Sequence, residues 1–408
     1  MNSFQNGARP DGNGRLGMVV AGSLTDGMEV RLDPATSIED IKVGTFVNIQ
    51  GQALRFFGVV TDIALGSTDP MLRLTPPDVS NPFIAQVVSG TTAYGTITVE
   101  PMLTLSVDSL AALDGPQPAK TVPPHFSHVA TATEQDIQLI FGGEDERHFW
   151  IGNPLDMETK LCLDMNRFVE RSNGVFGKSG TGKTFLTRLL LIGILQNGLA
   201  SNLVFDMHNE YGWKGYTEGS TEVKGLKQLF TSRVALFSQD RESARRRGIQ
   251  PDYEVRIGYD EIEPEDIVML KDSLNLSDVA ADAAYSLERR LGKRWLKEFL
   301  AYPGGEEFGE LAKELNVNDR ALLTLKNRLG RLQRFGFIDE SAGHNSVNEI
   351  LSYLDRGMHV VLEFGRYGGE LSAYILVANL LTRRIYDRYA EMSERALGDP
   401  TKMPRQLV

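Results

Sequence analysis

From about Gly17 to Val107, apolar residues come in short runs broken by turn formers. Gly17–Val20, Met28–Leu32, Thr45–Ile49, Phe56–Ile63 and Gly95–Val99 alternate with Gly, Asp and Ser. That spacing predicts the short strands of a small barrel or sandwich. A Pro-rich stretch, Gly115-Pro-Gln-Pro118 and then Pro123-Pro124, predicts the exit from this domain. Between Gly174 and Glu210 the pattern becomes strand, Gly-rich loop, apolar helix, strand, which is an α/β signature. From about Ser238 to Ser352, Leu recurs at three- and four-residue intervals among many charges. This predicts helices, Ala281–Leu300 and Arg320–Phe335 among them. A β-branched apolar run returns at His359–Glu363, and an amphipathic helix follows around Ala373–Met392. The organisation expected is a β-barrel at 1–115, the first part of an α/β core at 116–237, an inserted helical subdomain at 238–352 and the second part of the core at 353–408.

Composition narrows the class. At 408 residues the chain is too long for one compact core. With 41% hydrophobic and 24% charged residues it has ordinary globular composition, which excludes a disordered or fibrous protein. The lone cysteine, Cys162, cannot form an intrachain disulfide, so a reducing compartment is expected. The polar N-terminus lacks the apolar core of a signal peptide. The longest strongly apolar stretch, Leu189–Leu195, falls far short of the ~20 residues of a membrane span. A soluble, cytoplasmic protein without a membrane partner is expected. The net charge of −11 does not suit a simple nucleic-acid binder, but it is unevenly spread. Residues 1–150 carry 8 Lys+Arg against 17 Asp+Glu, whereas 151–238 carry 10 against 8, which leaves room for a local basic channel.

The strongest chemical signal is Gly177-Lys178-Ser179-Gly180-Thr181-Gly182-Lys183-Thr184, which satisfies the phosphate-loop pattern G-x-x-x-x-G-K-[ST]. Its glycines let successive backbone N–H groups curl around a phosphate chain. Lys183 supplies a point charge for the β/γ-phosphates, Thr184 a hydroxyl ligand for Mg²⁺, and the following helix N-terminus a partial positive charge. Gly174-Val-Phe176 reads as the preceding strand end. Phe185–Gln196 reads as the helix, closed by Asn197-Gly198. The expected nucleotide-binding residues are therefore 177–185, Phe185 included, with ATP and Mg²⁺ as cofactors.

Two acidic strand ends follow. Asn202-Leu-Val-Phe-Asp206 runs into Met207-His-Asn-Glu-Tyr211, and the carboxyl ends of parallel strands face the ligand crevice. Asp206, His208 and Glu210 are thus placed to approach the phosphates, with Glu210 orienting the attacking water. Lys183, Glu210 and Asp206 are the expected catalytic residues; a solvated loop built on a turn-forming Asp-x-x-Asn fits the same spacing. The second end, Val360-Val-Leu-Glu363, is either a magnesium-holding acid or the terminal Glu of a buried strand.

With these residues in view, the chain resembles the HerA-type ATPases of the HerA/FtsK superfamily. Three regions carry the resemblance. The segment Gly17–Leu32, with Val43-Gly-Thr-Phe-Val47 and Phe57-Gly-Val-Val-Thr-Asp62, is similar to the family's N-terminal HAS-type β-barrel. The phosphate loop and Asp206-Met-His-Asn-Glu-Tyr211 are similar to its RecA-like ATPase core. Gly357–Glu363 and the helix through Arg383-Arg384 are similar to the elements that precede its magnesium-binding acidic strand. The resemblance implies a hexameric ring ATPase that translocates DNA as a helicase, works with a nuclease of NurA type, and serves DNA end processing, repair or defence. It also makes the acidic barrel a docking face for that partner.

One departure is large. The family's apolar strand ending in paired acids should follow the Arg383 helix, and Pro404-Arg-Gln-Leu-Val408 only begins such a run. A chain cut short before that strand is expected, and with it a 408-residue protein inactive on its own; Glu363 acting as the magnesium acid is the alternative. Other function classes stay open: a ring ATPase acting on a protein or membrane complex, and a non-catalytic nucleotide-binding scaffold. Arg171 and Arg366 are candidates for an arginine acting on a neighbouring subunit's nucleotide. The basic stretch Arg320–Arg334 and the cluster Arg245-Arg-Arg247 read as solvated or salt-bridged faces before they read as DNA contacts.

Overall fold

The computed structural model describes residues 14–108, 115–154, 156–216, 222–341, 345–399 and 403–408; the polar stretch at 1–13 lies outside them. The chain forms two compact units, divided between Asp164 and Met165.

In the first unit, alternating burial closes a barrel. Strands β1 (Arg15–Ser23), β2 (Gly27–Leu32), β3 (Phe46–Gln50), β4 (Leu54–Ser67) and β5 (Ala93–Ser106) occupy the predicted runs. A two-residue strand β6 (Gln117–Pro118) pairs with β5, and β7 (His128–Thr131) lies between β1 and β3. The antiparallel ring β2-β1-β7-β3-β4-β5 closes through β5 pairing back to β2. Closure leaves no open edge. Every second residue points inward, and Val30, Ile49, Val60, Val99 and Val129 are all fully buried. Strands β4 and β5 pair along their whole length, and the connection between them carries α1 (Met71–Leu74) and α2 (Pro82–Thr91). The Pro-rich stretch does not lead out of this unit. Past residue 115 the chain returns to the ring as β7, then adds α3 (Glu134–Phe141) and the hairpin β8 (His148–Gly152) with β9 (Leu161–Asp164). The prolines redirect the chain because they cannot donate to a ladder.

The second unit is α/β. After α4 (Met165–Glu170) and the phosphate loop come α5 (Lys183–Asn197) and β10 (Leu203–Asp206). The short hairpin β11 (Gly215–Tyr216) with β12 (Glu222–Val223), helix α6 (Leu226–Leu229) and β13 (Val234–Ser238) follow. Next are α7 (Arg241–Arg246), β14 (Tyr253–Glu254), β15 (Ile257–Gly258) and the helices α8 (Pro264–Met269), α9 (Lys271–Leu274), α10 (Asp278–Leu291), α11 (Trp295–Ala301), α12 (Glu306–Glu314) and α13 (Asp319–Leu329). Strand β16 (Ile338–Asp339), α14 (Ser346–Asp355), β17 (His359–Glu363) and α15 (Leu371–Arg395) complete it. The parallel sheet runs β10-β17-β13-β14. Buried on both faces, β13 and β17 are apolar throughout their middles, as parallel strands require.

The helices form an insertion, since β13 and β17, which bracket them in sequence, are neighbours in the sheet. Trp295, Phe299, Leu325, Phe237 and Leu376 share one core, so helices and sheet are packed as one body. Helix α15 is locked to α8 through the fully buried Asp266. Arg383 reaches it at 3.0 Å and Asn379 at 2.9 Å.

One expectation fails. Gly174–Phe176 forms no strand, and Phe176 is 93% exposed. A strand exists only beside a partner, and Gly174–Phe176 has none among the described strands. On the outer side of β10, Ser201 and Leu203 donate to Gln406 and Val408, and Val408 donates back to Ser201. The run at Pro404–Val408 thus begins to pair in parallel beside β10, through the bridge of Leu407 with Ser201, where the resemblance led a strand to be expected.

Candidate nucleotide-binding site

The phosphate loop owes its shape to glycine. Gly180 and Gly182 sit at φ +79° and +88°, a region costly for other residues, and Gly182 caps α5 from that left-handed conformation. No side chain caps this helix, so its first N–H groups keep their capacity for an anion. Thr181 Oγ1 donates to the Lys178 carbonyl at 2.7 Å, and Lys183 Nζ donates to the same oxygen at 2.6 Å, folding the loop on itself.

The loop opens onto a cleft of about 1040 Å³. Ser179, Gly180, Gly182, Lys183, Thr184 and Phe185 line it, while Gly177, Lys178 and Thr181 shape the loop without lining the cleft. Facing them is the segment after β10, with His208, Asn209 and Glu210. Thr184 Oγ1 donates to Glu210 Oε2 at 3.1 Å, so helix and loop meet at a hydroxyl and a carboxylate. Arg188, one turn further along α5, donates to the Glu210 carbonyl. Trp213, Lys214, Arg246 and Arg247 complete the wall. Among the lining side chains Lys183, Arg188, Lys214, Arg246 and Arg247 are cationic against the single acid Glu210, a field suited to a polyanion.

Asp206 does not reach this cleft. It is 1% exposed, and its carboxylate accepts the N–H groups of Glu210 at 2.8 Å, Tyr211 at 2.8 Å and Gly212 at 3.2 Å. Burial pushes its carboxyl above the ordinary range, against the pull of these three donors. It shapes the loop that presents Glu210. Asn209, at φ +56°, ties the same loop to Gly365 by reciprocal bonds of 2.9 and 3.3 Å. The Asp-x-x-Asn turn and the phosphate-facing loop are therefore one structure, not alternatives.

Glu363 is also turned away from the cleft. It is fully buried, and its Oε2 accepts from Arg247 Nη2 at 2.5 Å. Burial raises its carboxyl, opposed by Arg247. Of the arginines singled out in the sequence, Arg366 contacts Asp240 at 3.4 Å and Tyr367 at 2.9 Å, and Arg171 is exposed. Arg246 pairs with Glu242, Lys326 with the Tyr302 carbonyl, and Arg334 with Glu370, in keeping with salt-bridged faces. Sequence reasoning missed Arg188, Trp213 and Arg247. Arg188 was findable from its four-residue spacing after Thr184, whereas Arg247 stood out only as part of the basic cluster 245–247, which carries no sign of the cleft.

The donor set fits ATP with Mg²⁺. The backbone cradle and cations suit phosphates. Thr184 offers an oxygen ligand of the kind a small hard cation prefers, with phosphate oxygens and water to complete its shell, and the Glu210 carboxylate stands beside it. Among the described residues no cluster of three His, Cys, Asp or Glu would hold a metal alone, so such a cation would be shared with the nucleotide. No helix of the described residues is long and apolar enough to cross a membrane.

Two family profiles match the chain. The one for the central domain of the helicase HerA covers residues 149–385, more than half of it, and the HAS barrel domain covers residues 16–107. Among curated proteins there is no match. A closed barrel followed by a phosphate-loop α/β unit agrees with both profiles, and the chain belongs to the HerA-type ATPase family.

Proposed function

We propose that the protein is an ATP-dependent DNA translocase of HerA type, a homo-oligomeric ring, hexameric by family, working with a nuclease of NurA type in DNA end processing or defence. The observation that carries this reading is the Thr184–Glu210 contact across the uncapped N-terminus of α5, in a chain of this family. Lys183 and the loop N–H groups hold the phosphates, Thr184 ligates the cation, and Glu210 orients water for in-line attack. Asp206 keeps Glu210 in place through the loop backbone. When bound, Mg²⁺ supplies neutralisation of charge developing on the phosphates. Arg171, exposed upstream of the loop, is the better candidate to act on a neighbouring subunit, since Arg366 already contacts Asp240 and Tyr367.

A second reading has a specific observation behind it: the 408 residues bind nucleotide with little turnover. Both strand-end acids are engaged, Asp206 by backbone N–H groups and Glu363 by Arg247, which leaves Glu210 as the acid lining the cleft.

Mg²⁺-ATP turnover with and without linear duplex DNA tests both. Turnover raised by DNA and absent in Lys183→Ala supports the translocase. Turnover indifferent to DNA favours a motor acting on protein. Tight ATP binding without turnover supports the second reading.

A further inference from the structure

We propose that Arg247 contacts the phosphates of the bound nucleotide, and that Glu363 is the residue that positions it. The inference rests on the nucleotide reading of the cleft and adds a residue to it.

Arg247 follows α7, far in sequence from the phosphate loop, yet it forms part of the same cleft wall as Lys183, Thr184 and Glu210. Its neighbour Arg246 is a surface residue, 74% exposed in its side chain and paired with Glu242. Arg247 is different: 30% exposed, with Nη2 held 2.5 Å from a carboxylate that is itself completely buried. Its Nε is buried without a partner, and so is the second Glu363 oxygen.

The anchor is built into the sheet. Glu363 ends β17 and stands in register with Asp206 at the end of β10 and with Ser238 at the end of β13. Its free oxygen lies against Gly212, where a Cβ would come within 2.7 Å, so the loop that presents Glu210 is packed directly on it. Arg247 therefore enters the cleft at the carboxyl ends of the parallel strands, where ligands of such sheets bind.

A buried ion pair is a poor device for stability, because apolar residues of equal volume hold a fold as well or better. It is a good device for aiming a cation. A guanidinium is a planar fork of N–H donors, and one carboxylate can fix its orientation while other donors bind phosphate oxygens. The ligand class is a nucleoside polyphosphate.

The test compares the chain with Arg247→Ala, Arg247→Lys and the double variant Arg247→Ala/Glu363→Gln, measuring Mg²⁺-ATP affinity by calorimetry and the melting temperature of each. Arg247→Ala alone strands a buried carboxylate and is expected to melt early. The double variant removes that charge. It should melt near wild type while ATP affinity stays roughly 10-fold or more weaker, the usual loss for a charge-assisted hydrogen bond. Arg247→Lys, which keeps charge but not the fork, should fall between. A double variant that regains both stability and wild-type ATP affinity would show a purely structural pair and overturn the inference alone. A wild-type chain that binds no Mg²⁺-ATP would overturn the nucleotide reading, and this inference with it.

Discussion

Thr184 and Glu210 meet at 3.1 Å although one opens the phosphate-loop helix and the other lies in the loop after β10. The hydroxyl donates and the carboxylate accepts, so the two groups proposed to serve cation and water are adjacent before any ligand is considered. Replacing Thr184 by Ala removes a ligand without disturbing the core. The Mg²⁺ concentration needed for half-maximal ATP binding should rise roughly tenfold. A Mg²⁺ titration identical to wild type would remove Thr184 from the metal site.

Glu210→Gln keeps shape and its acceptor for Thr184 while losing charge. Turnover is expected to fall on the order of 100-fold, with ATP affinity within a few-fold of wild type. Equal losses in affinity and turnover would instead assign Glu210 to binding.

Arg383→Ala should destabilise the fold by about 3–5 kcal/mol, because Asp266 is fully buried and Arg383 is its cationic partner. The urea midpoint reports this directly. A loss under about 1 kcal/mol would place the pair among ordinary surface bridges.

His359 predicts an acid-sensitive sheet. Its Nδ1 accepts the Asn202 N–H at 3.1 Å, which only the unprotonated nitrogen can do, and its Nε2 is buried without a partner. Burial, with Arg233 and Arg405 nearby, pushes its pKa down from 6.5 to about 4. A histidine depressed in the folded state contributes fully above pH 6.5, and that contribution is lost as pH falls toward 4, a change of about 3 kcal/mol. Asp206, Glu363 and Asp266 are shifted upward and work in the opposite sense, gaining as pH falls. The histidine's part is therefore the difference between wild type and His359→Gln. Urea midpoints at pH 7.5 and pH 5 should converge for the two proteins as pH falls. Parallel pH curves would contradict the assignment.

What the sequence revealed was local. The phosphate loop, its helix and Asp206–Tyr211 are contiguous, so spacing alone pointed to Lys183, Thr184 and Glu210, and the structure brings these three to one cleft. It could not show which way a carboxylate turns: Asp206 is acidic and adjacent, yet bonds its own loop. Nor could it show pairing. Gly174–Phe176 has strand-like composition and no strand partner, while the ion pair of Arg247 with Glu363 spans 116 positions of chain. The barrel's strands were legible from alternation, but its closure required β7, a four-residue strand beyond the prolines.

The most direct test of the central claim is equilibrium binding of Mg²⁺-ATP to the wild-type chain and to Lys183→Ala. The lysine contacts the loop carbonyl of Lys178 rather than the core, so the variant should keep its melting temperature. Loss of a charged contact to the phosphates should weaken ATP binding roughly 10- to 100-fold. Equal affinity in the two proteins, both folded, would contradict a nucleotide site at this loop.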